Sequence, residues 1–386
     1  MKLIYVANMR LPTEKAHGLQ VMNMCKAFAA AGVTVELIVP TRKNPTLAEN
    51  DPFRYYSIVP NFTISRVVTP DPRWLLRFPP GTYIKVQATL FMIMLTLRLL
   101  RLWRAANTVL YTRDEYLLPL LQRFSRTVVW EGHALPRRRR QLAPFFRRCQ
   151  RLIVLTQQLR REVLDLGVAA ERVQVLPDGV DLQIFHTSLT QAQARQQLAL
   201  PTEAIVLCYT GTFKTKEKDK GLHDIFYALQ SLAKRYQKLL FVAVGGSEQD
   251  IAEYAKLAAE LALTQIVRLL PRVDQSTLVI YQRAATVLLM PFPRTKHYAA
   301  YMSPLKMFEY MTSGTPILAT QLPTIQEVLN TSNAVLVAPG KPEAIAQGIE
   351  RILKDAVEAK KLADKALKDV QHYTWEQRAR HILSSL

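Results

Sequence analysis

Three observations predict an α/β chain of two domains, each a parallel sheet with helices on both faces. At 386 residues the chain is too long for one ordinary compact domain and comfortable for two. Short β-rich apolar runs alternate with helix-period segments along its whole length, as in sheets covered on both sides. Hydrophobic residues make up 49% and charged residues 21%, a globular balance that excludes disorder and collagen-like repeats.

In the first half the runs fall at 2–6, 33–39, 62–68, 108–111, 127–130, 151–155 and 172–176. In the second they fall at 204–209, 239–244, 266–270, 285–290, 316–319 and 334–337. Two series of six or seven strands predict two Rossmann-like domains. The break lies near 177–195, where PDGVD runs into the polar stretch HTSLTQAQARQQ. We assign 1–185 to an N-terminal Rossmann-like domain and 186–365 to a C-terminal Rossmann-like domain. A closing segment, 366–386, ends in YTWEQRARHILSSL, a helix with Thr374 as N-cap and Glu376 in its first turn. Open parallel sheets take ligands at the carboxyl ends of their strands, so the chemistry is expected in the loops that follow them.

Charge is uneven. Residues 1–190 hold 27 basic and 13 acidic side chains, net +14, out of +20 for the chain, and 22 of those 27 are Arg. A basic half points to a polyanionic partner: membrane lipid, phosphorylated substrate or nucleic acid. No nucleic-acid module accompanies the charge, so nucleic acid is not expected. The segment 137–151 carries seven Arg around Phe145 and Phe146 and reads as an interfacial patch for anionic lipid. The apolar run in 77–104, ended by Arg98, Arg101, Trp103 and Arg104, reads as a core helix with a basic rim in preference to a second membrane contact. Only twelve residues separate Lys85 from Arg98, too few to span a bilayer as a helix. Cys25, Cys149 and Cys208 form no CxxC and read as reduced thiols. The opening LIYVA is strand-like, and no signal peptide is expected.

The strongest motif is SPLKMFEYMTSGTPILATQLPTIQEVL, 303–329. Ser303 as N-cap and Pro304 at the first helical position open a helix whose free N–H groups and dipole favour an anion. Lys306 adds a full charge one turn in, and Glu309 follows on the same face. A lysine at a helix mouth suits a diphosphate, and a carboxylate one turn on suits a ribose diol. This string resembles the signature of retaining nucleotide-sugar glycosyltransferases of the GT-B fold, the family-four-like group. TRDEYLLPLL, VVWEGHALP, RLIVLTQQLRREVLDLGVAAERVQVLPDGVD, YTGTFKTKEKDKGL, VGGSEQDIAEY and WEQRARHIL are similar to that family in its own order.

The resemblance implies two Rossmann-like domains facing across a cleft, 1–185 binding the acceptor and 186–365 the sugar nucleotide, with the closing helix crossing back to the first. It implies hexosyl transfer from a UDP- or GDP-sugar to an acceptor hydroxyl with retention, and no protein nucleophile. Lys220, before Gly221, matches the family's diphosphate lysine, with Gly211, Thr212 and Lys214 in the same loop beside Lys216 and Lys218. Thr212 and Phe213 stand where the family often has Arg. Glu309 matches the second of its paired glutamates. Tyr301 stands near the place of the first, and backbone N–H groups of 299–303 are expected to take part of that work. His133 resembles the histidine that contacts the donor sugar, so His133, Lys306 and Lys220 are the expected catalytic groups. Gly18 in LPTEKAHGLQ resembles a glycine loop beside the donor.

No DxD pair stands at a strand end, Asp178 and Asp181 resemble an interdomain turn, and no His/Cys/Asp cluster has ligand spacing. No metal and no cofactor other than the donor is therefore expected. The expected acceptor is a lipid-linked or cell-envelope glycan in polysaccharide biosynthesis. The expected location is cytoplasmic, peripheral on the inner face of the plasma membrane. A GT-B nucleotide-sugar epimerase and a non-catalytic sugar-nucleotide-binding protein remain alternatives.

Overall fold

The computed structural model describes residues 1–42, 44, 47, 49, 51–79, 81–100, 107–185, 187–215 and 218–386. Arg101, Trp103, Arg104 and Lys216, named above, lie outside the described residues. The chain divides into two compact units: Met1–Asp178 with Trp375–Leu386, and Gly179–Thr374.

Among the described residues the first unit holds seven strands: β1 (Lys2–Val6), β2 (Thr34–Pro40), β3 (Thr63–Val67), β4 (Thr108–Thr112), β5 (Val128–Gly132), β6 (Arg151–Val154) and β7 (Val173–Val175). All pair in parallel, in the order β3-β2-β1-β4-β5-β6-β7. Leu3 stands between Val35 and Val109 in register. The central strands are apolar on both faces because helices cover both, and Leu3 to Val6 are fully buried. The chain builds outward from β1 to β3 and then restarts on the other side of β1. The switch point therefore lies between β1 and β4.

The second unit repeats this plan with β8 (Ile205–Thr210), β11 (Leu239–Gly246), β12 (Val267–Pro271), β13 (Val287–Met290), β14 (Ile317–Thr320) and β15 (Val335–Val337). The order is β12-β11-β8-β13-β14-β15, with the switch point between β8 and β13. The loop after β8 also forms a small antiparallel ribbon, β9 (Lys214–Thr215) with β10 (Lys218–Asp219), which the sequence had not suggested.

The boundaries differ from 185 and 366. The first unit ends at Asp178, since Val180 donates its N–H to Tyr373 O at 2.9 Å and Phe185 is buried among Met307 and Phe308. At the other end, Ala366 and Val370 lie in that same second-unit core. Only the helix Trp375–Ser384 returns to the first unit. There it packs on the helix Ala16–Ala30 and buries Trp375, Ala379 and Ile382.

Two readings of the basic half are corrected. The helix Thr82–Leu100 is not a core helix: it buries one stripe, Gln87, Phe91, Leu95 and Leu99, and exposes Ile84, Ile93, Leu97 and Leu100. Its sequence is apolar on every side, so periodicity could not separate the buried stripe from the exposed face. Its 19 residues are, by length and composition, apolar enough to cross a membrane. In 137–151, Phe146 is buried against Trp130 at 4.6 Å between ring centres and Phe145 is half-buried. The arginines at 137–140, 147 and 148 are exposed, so that segment offers charge without an aromatic face.

Candidate functional site

At the switch point of the second unit, β8 ends at Thr210 and the chain turns at Gly211 with φ of 108°, a left-handed conformation that side chains rarely adopt. A Cβ at 211 would sit 3.2 Å from the Lys306 Cε and Nζ, so the lysine lies directly on this turn. The Lys306 ammonium lies 3.6 Å from the centre of the Tyr209 ring and 5.5 Å from that of Phe292. Nζ is buried and has no hydrogen-bond partner. Burial, and then the nearby Lys220 charge, hold its pKa well below the usual lysine value. Lys220 Nζ donates to Thr212 Oγ1 at 2.5 Å, and burial brings its pKa down to about 8.

Glu309 lies on the same helix as Lys306, and burial pushes its pKa up to about 7. Gln282 Nε2 reaches both Glu309 Oε2 (3.4 Å) and Thr210 Oγ1 (3.3 Å). Gly211, Thr212, Lys220, Lys306 and Glu309 thus lie together. Tyr209 and Gln282 were missed; neither carries a sequence signal beyond lying in a strand and a helix.

Three expectations on this side change. The helix runs Leu305–Thr312 with Pro304, not Ser303, at the N-cap, and no side-chain cap bond closes it. Proline brings no cap of its own, which leaves the helix mouth to whatever anion arrives. Lys214 is not held ready for a phosphate: its ammonium pairs with Glu253 and lies 5.9 Å from the Tyr254 ring centre. Of the 299–303 backbone donors, Ala299 N and Tyr301 N are already used within the short helix, on Thr295 O and His297 O.

In the first unit His133 follows β5 directly. Its Nε2 lies 2.8 Å from Glu131 Oε1, just past the end of the strand that carries the carboxylate. Burial, and then Arg113, lower the His133 pKa to about 3, so the ring is neutral. Nε2–H donates to the carboxylate, and Nδ1 carries the lone pair. Glu131 is buried, which alone would raise its pKa. Arg378, His133 and Arg113 instead hold it well below the carboxylate range. Arg378 Nη2 donates to Glu131 Oε1 at 3.0 Å and its Nε to Pro177 O at 2.9 Å; Gln20 Nε2 donates to Glu131 Oε1 at 2.6 Å, and the Tyr111 hydroxyl to Oε2.

Glu131, His133 and Asp178 do bring ligand atoms within 4.8 Å of one another, a cluster hidden by their separation in sequence. The cluster does not fit a divalent ion. Glu131 Oε1 already accepts from Gln20, His133 and Arg378, and the guanidinium supplies the positive charge. Burial raises Asp178 to about 7.

Gly18 serves another purpose than expected. A Cβ there would lie 2.1 Å from the Tyr56 hydroxyl, which bridges Thr13 O and Thr13 N. The close approach it permits is that of Tyr56, within the fold.

The neutral His133 has a consequence for stability. Its folded pKa of about 3 lies below the ordinary histidine value near 6.5, so its contribution is present above pH 6.5 and lost as pH falls toward 3. We expect thermal midpoints of the wild type to decline on acidification from about pH 6.5. In His133→Asn the decline between pH 6 and 5 should be shallower; identical slopes in the two proteins would remove this role.

Two parallel-sheet units, each with helices on both faces, define the class: an α/β protein of two Rossmann-like units. Residues 190–369 match the family described as Glycosyl transferases group 1, and residues 18–184 the family Glycosyltransferase Family 4. The chain belongs to this glycosyltransferase family and has its GT-B fold. Similar curated proteins include a D-inositol 3-phosphate glycosyltransferase of Frankia alni, 30% identical over 61% of this chain and 58% of that protein. Another, of Streptomyces bingchenggensis, is 28% identical over 59% and 50%. The chain spans about half the length of the curated relatives it matches. Among solved structures, a sucrose-phosphate synthase from Thermosynechococcus elongatus superposes with a TM-score of 0.75 at 21% identity, covering 99% of this chain and 97% of that one. Anabaena HepE in complex with UDP gives 0.74 at 16%, covering all of both chains.

Proposed function

We infer that this protein transfers a sugar from a nucleoside diphosphate to an acceptor hydroxyl. The observation that carries this reading is the Lys306–Lys220 pair. Two lysines with depressed pKa values, one of them buried without a hydrogen-bond partner, flank a glycine turn and an uncapped helix mouth. An arriving diphosphate would recharge both lysines and accept from Thr212, the Gly211 turn and the Pro304 helix start. Glu309 would take the ribose hydroxyls. A UDP-sugar is the first donor to test, since HepE has been solved with UDP-glucose.

His133, neutral and oriented by Glu131, would bind a sugar hydroxyl through Nδ1. In the reaction the anomeric C–O bond to the leaving phosphate breaks and the new bond to the acceptor oxygen forms on the same face. The acceptor proton passes to the leaving phosphate oxygen, and configuration is retained. Charge on the leaving diphosphate is met by the two lysines, so no divalent ion is required. The acceptor we favour is a lipid-linked or cell-envelope glycan, met on the cytoplasmic side of a membrane.

Thermal-shift titration against UDP, GDP, ADP and TDP sugars tests the donor, because a bound ligand raises the midpoint by mass action. Product analysis then separates transfer from epimerisation, which needs no acceptor. Transfer is expected to persist in EDTA with the α anomer of an α-linked donor conserved. Activity that returns only with magnesium or manganese would overturn the lysine assignment.

A further inference from the structure

We propose that the outer face of the helix Thr82–Leu100, with the preceding turn Arg73–Arg77, is a docking surface for an anionic lipid bilayer, with the helix lying in the interface plane. The claim goes beyond the donor site, and its test involves no donor.

The inner face of this helix is held by the protein. Gln87 Nε2 donates to Asn8 Oδ1 at 3.2 Å, Arg98 Nη2 to Glu36 Oε1 at 2.9 Å, and Phe91, Leu95 and Leu99 are buried. The helix packs against β3 and the helix Leu118–Phe124. A helix fixed along one side to a sheet domain does not cross a bilayer; it meets one side-on.

Among the described residues, nothing covers the opposite face. Val86, Ile93, Leu97 and Leu100 cluster on the side opposite the midline of the buried stripe, at 37%, 53%, 54% and 48% exposure. Beside them Trp74, Leu76 and Phe78 are also exposed. Single exposed apolar residues are ordinary, but eight large ones within 74–100, Ile84 included, form a partner's surface.

Charge selects the partner. From Pro72 to Arg113 the sequence contains no Asp or Glu. Arg77 lies 5.6 Å from the Trp74 ring centre and 5.9 Å from that of Phe78, and Lys85 is exposed. Arg73 pairs with Asp71 and Arg98 with Glu36, but apolar and aromatic side chains beside Arg77 and Lys85 match the acyl–headgroup boundary of an anionic leaflet. A second copy of this chain would bring two strongly basic halves together, which their repulsion opposes.

Co-sedimentation of the full chain with phosphatidylglycerol-containing and pure phosphatidylcholine vesicles tests this. Binding to the anionic vesicles is expected, weakened by salt, with little to the neutral ones. Ile93→Ser/Leu97→Ser should reduce it about tenfold or more, and Arg77→Gln about fivefold. These positions are exposed, so thermal midpoints should stay at the wild-type value. Unchanged binding in Ile93→Ser/Leu97→Ser overturns the proposal. So does loss of binding only in Arg139→Gln/Arg140→Gln, which would place contact on the arginine helix. Sedimentation velocity showing a dimer that Ile93→Ser/Leu97→Ser dissociates would assign the face to a second copy instead.

Discussion

Lys306→Met is expected to abolish glycosyl transfer while raising the thermal midpoint of the ligand-free protein. The two effects have one cause. Nζ of Lys306 is buried, has no hydrogen-bond partner, and faces the Lys220 charge. Without a ligand the fold therefore carries a cation, or a costly neutral amine, in place of an apolar group. Methionine fills the same space against Tyr209 and Phe292 without that cost. In the proposed reaction, the same ammonium would meet the charge that grows on the leaving diphosphate. Losing a preorganised group of this kind costs on the order of 4 kcal/mol, about a thousandfold in kcat/KM.

The pH dependence follows the same logic. Both lysines have folded pKa values below the ordinary value of 10.5, so the unfolded chain binds more protons between the two. Ligand-free stability should rise with pH, for Lys220 between about 8 and 10.5, and a saturating nucleoside diphosphate should flatten that rise. Lys306→Met that keeps wild-type transfer, or a midpoint below wild type with full ligand-free folding, would remove Lys306 from the site.

Arg378→Met should be the most damaging substitution in the first unit. Arg378 comes from the closing helix and reaches Glu131, Pro177 O and Leu176 O, so one side chain ties that helix to the ends of β5 and β7. Removing it leaves a fully buried carboxylate with its main counter-charge gone. Breaking such a pair costs about 3–5 kcal/mol. Denaturant melts of Arg378→Met, Glu131→Gln and the double variant measure it. Glu131→Gln should be milder, and it should suppress most of the cost in the double variant. Additive losses in this cycle would show that Arg378 acts by packing alone. Because Glu131 orients His133, Glu131→Gln should also lower transfer more through kcat than through KM.

Much of the second unit's site was legible in the chain itself. Lys306 and Glu309 stand three residues apart on one helix, and Lys220 precedes Gly221 in a loop that follows a strand. Local spacing of that kind places side chains on a common face before any tertiary contact forms. The alternation of apolar runs similarly sufficed for two parallel sheets of seven and six strands. Gly18, Lys214 and Ser303 misled because each was judged by its neighbours in sequence. Gly18 meets Tyr56, 38 positions on, Lys214 pairs with Glu253 in the helix Glu248–Glu260, and the cap expected at Ser303 falls one residue later.

The amino-acid order alone determined the two-domain plan, the strand-end loop that carries Lys220, and the helix that carries Lys306 and Glu309. These depend on periodicity and on contacts a few residues apart. Folding in three dimensions decided which faces are covered and which charges meet. Glu131 found Arg378 across 247 positions, and the Thr82–Leu100 helix kept one apolar face against the sheet and left the other bare. Burial and counter-charge belong to the packed arrangement, and a sequence that is apolar on every side of a helix does not say which side will be outermost.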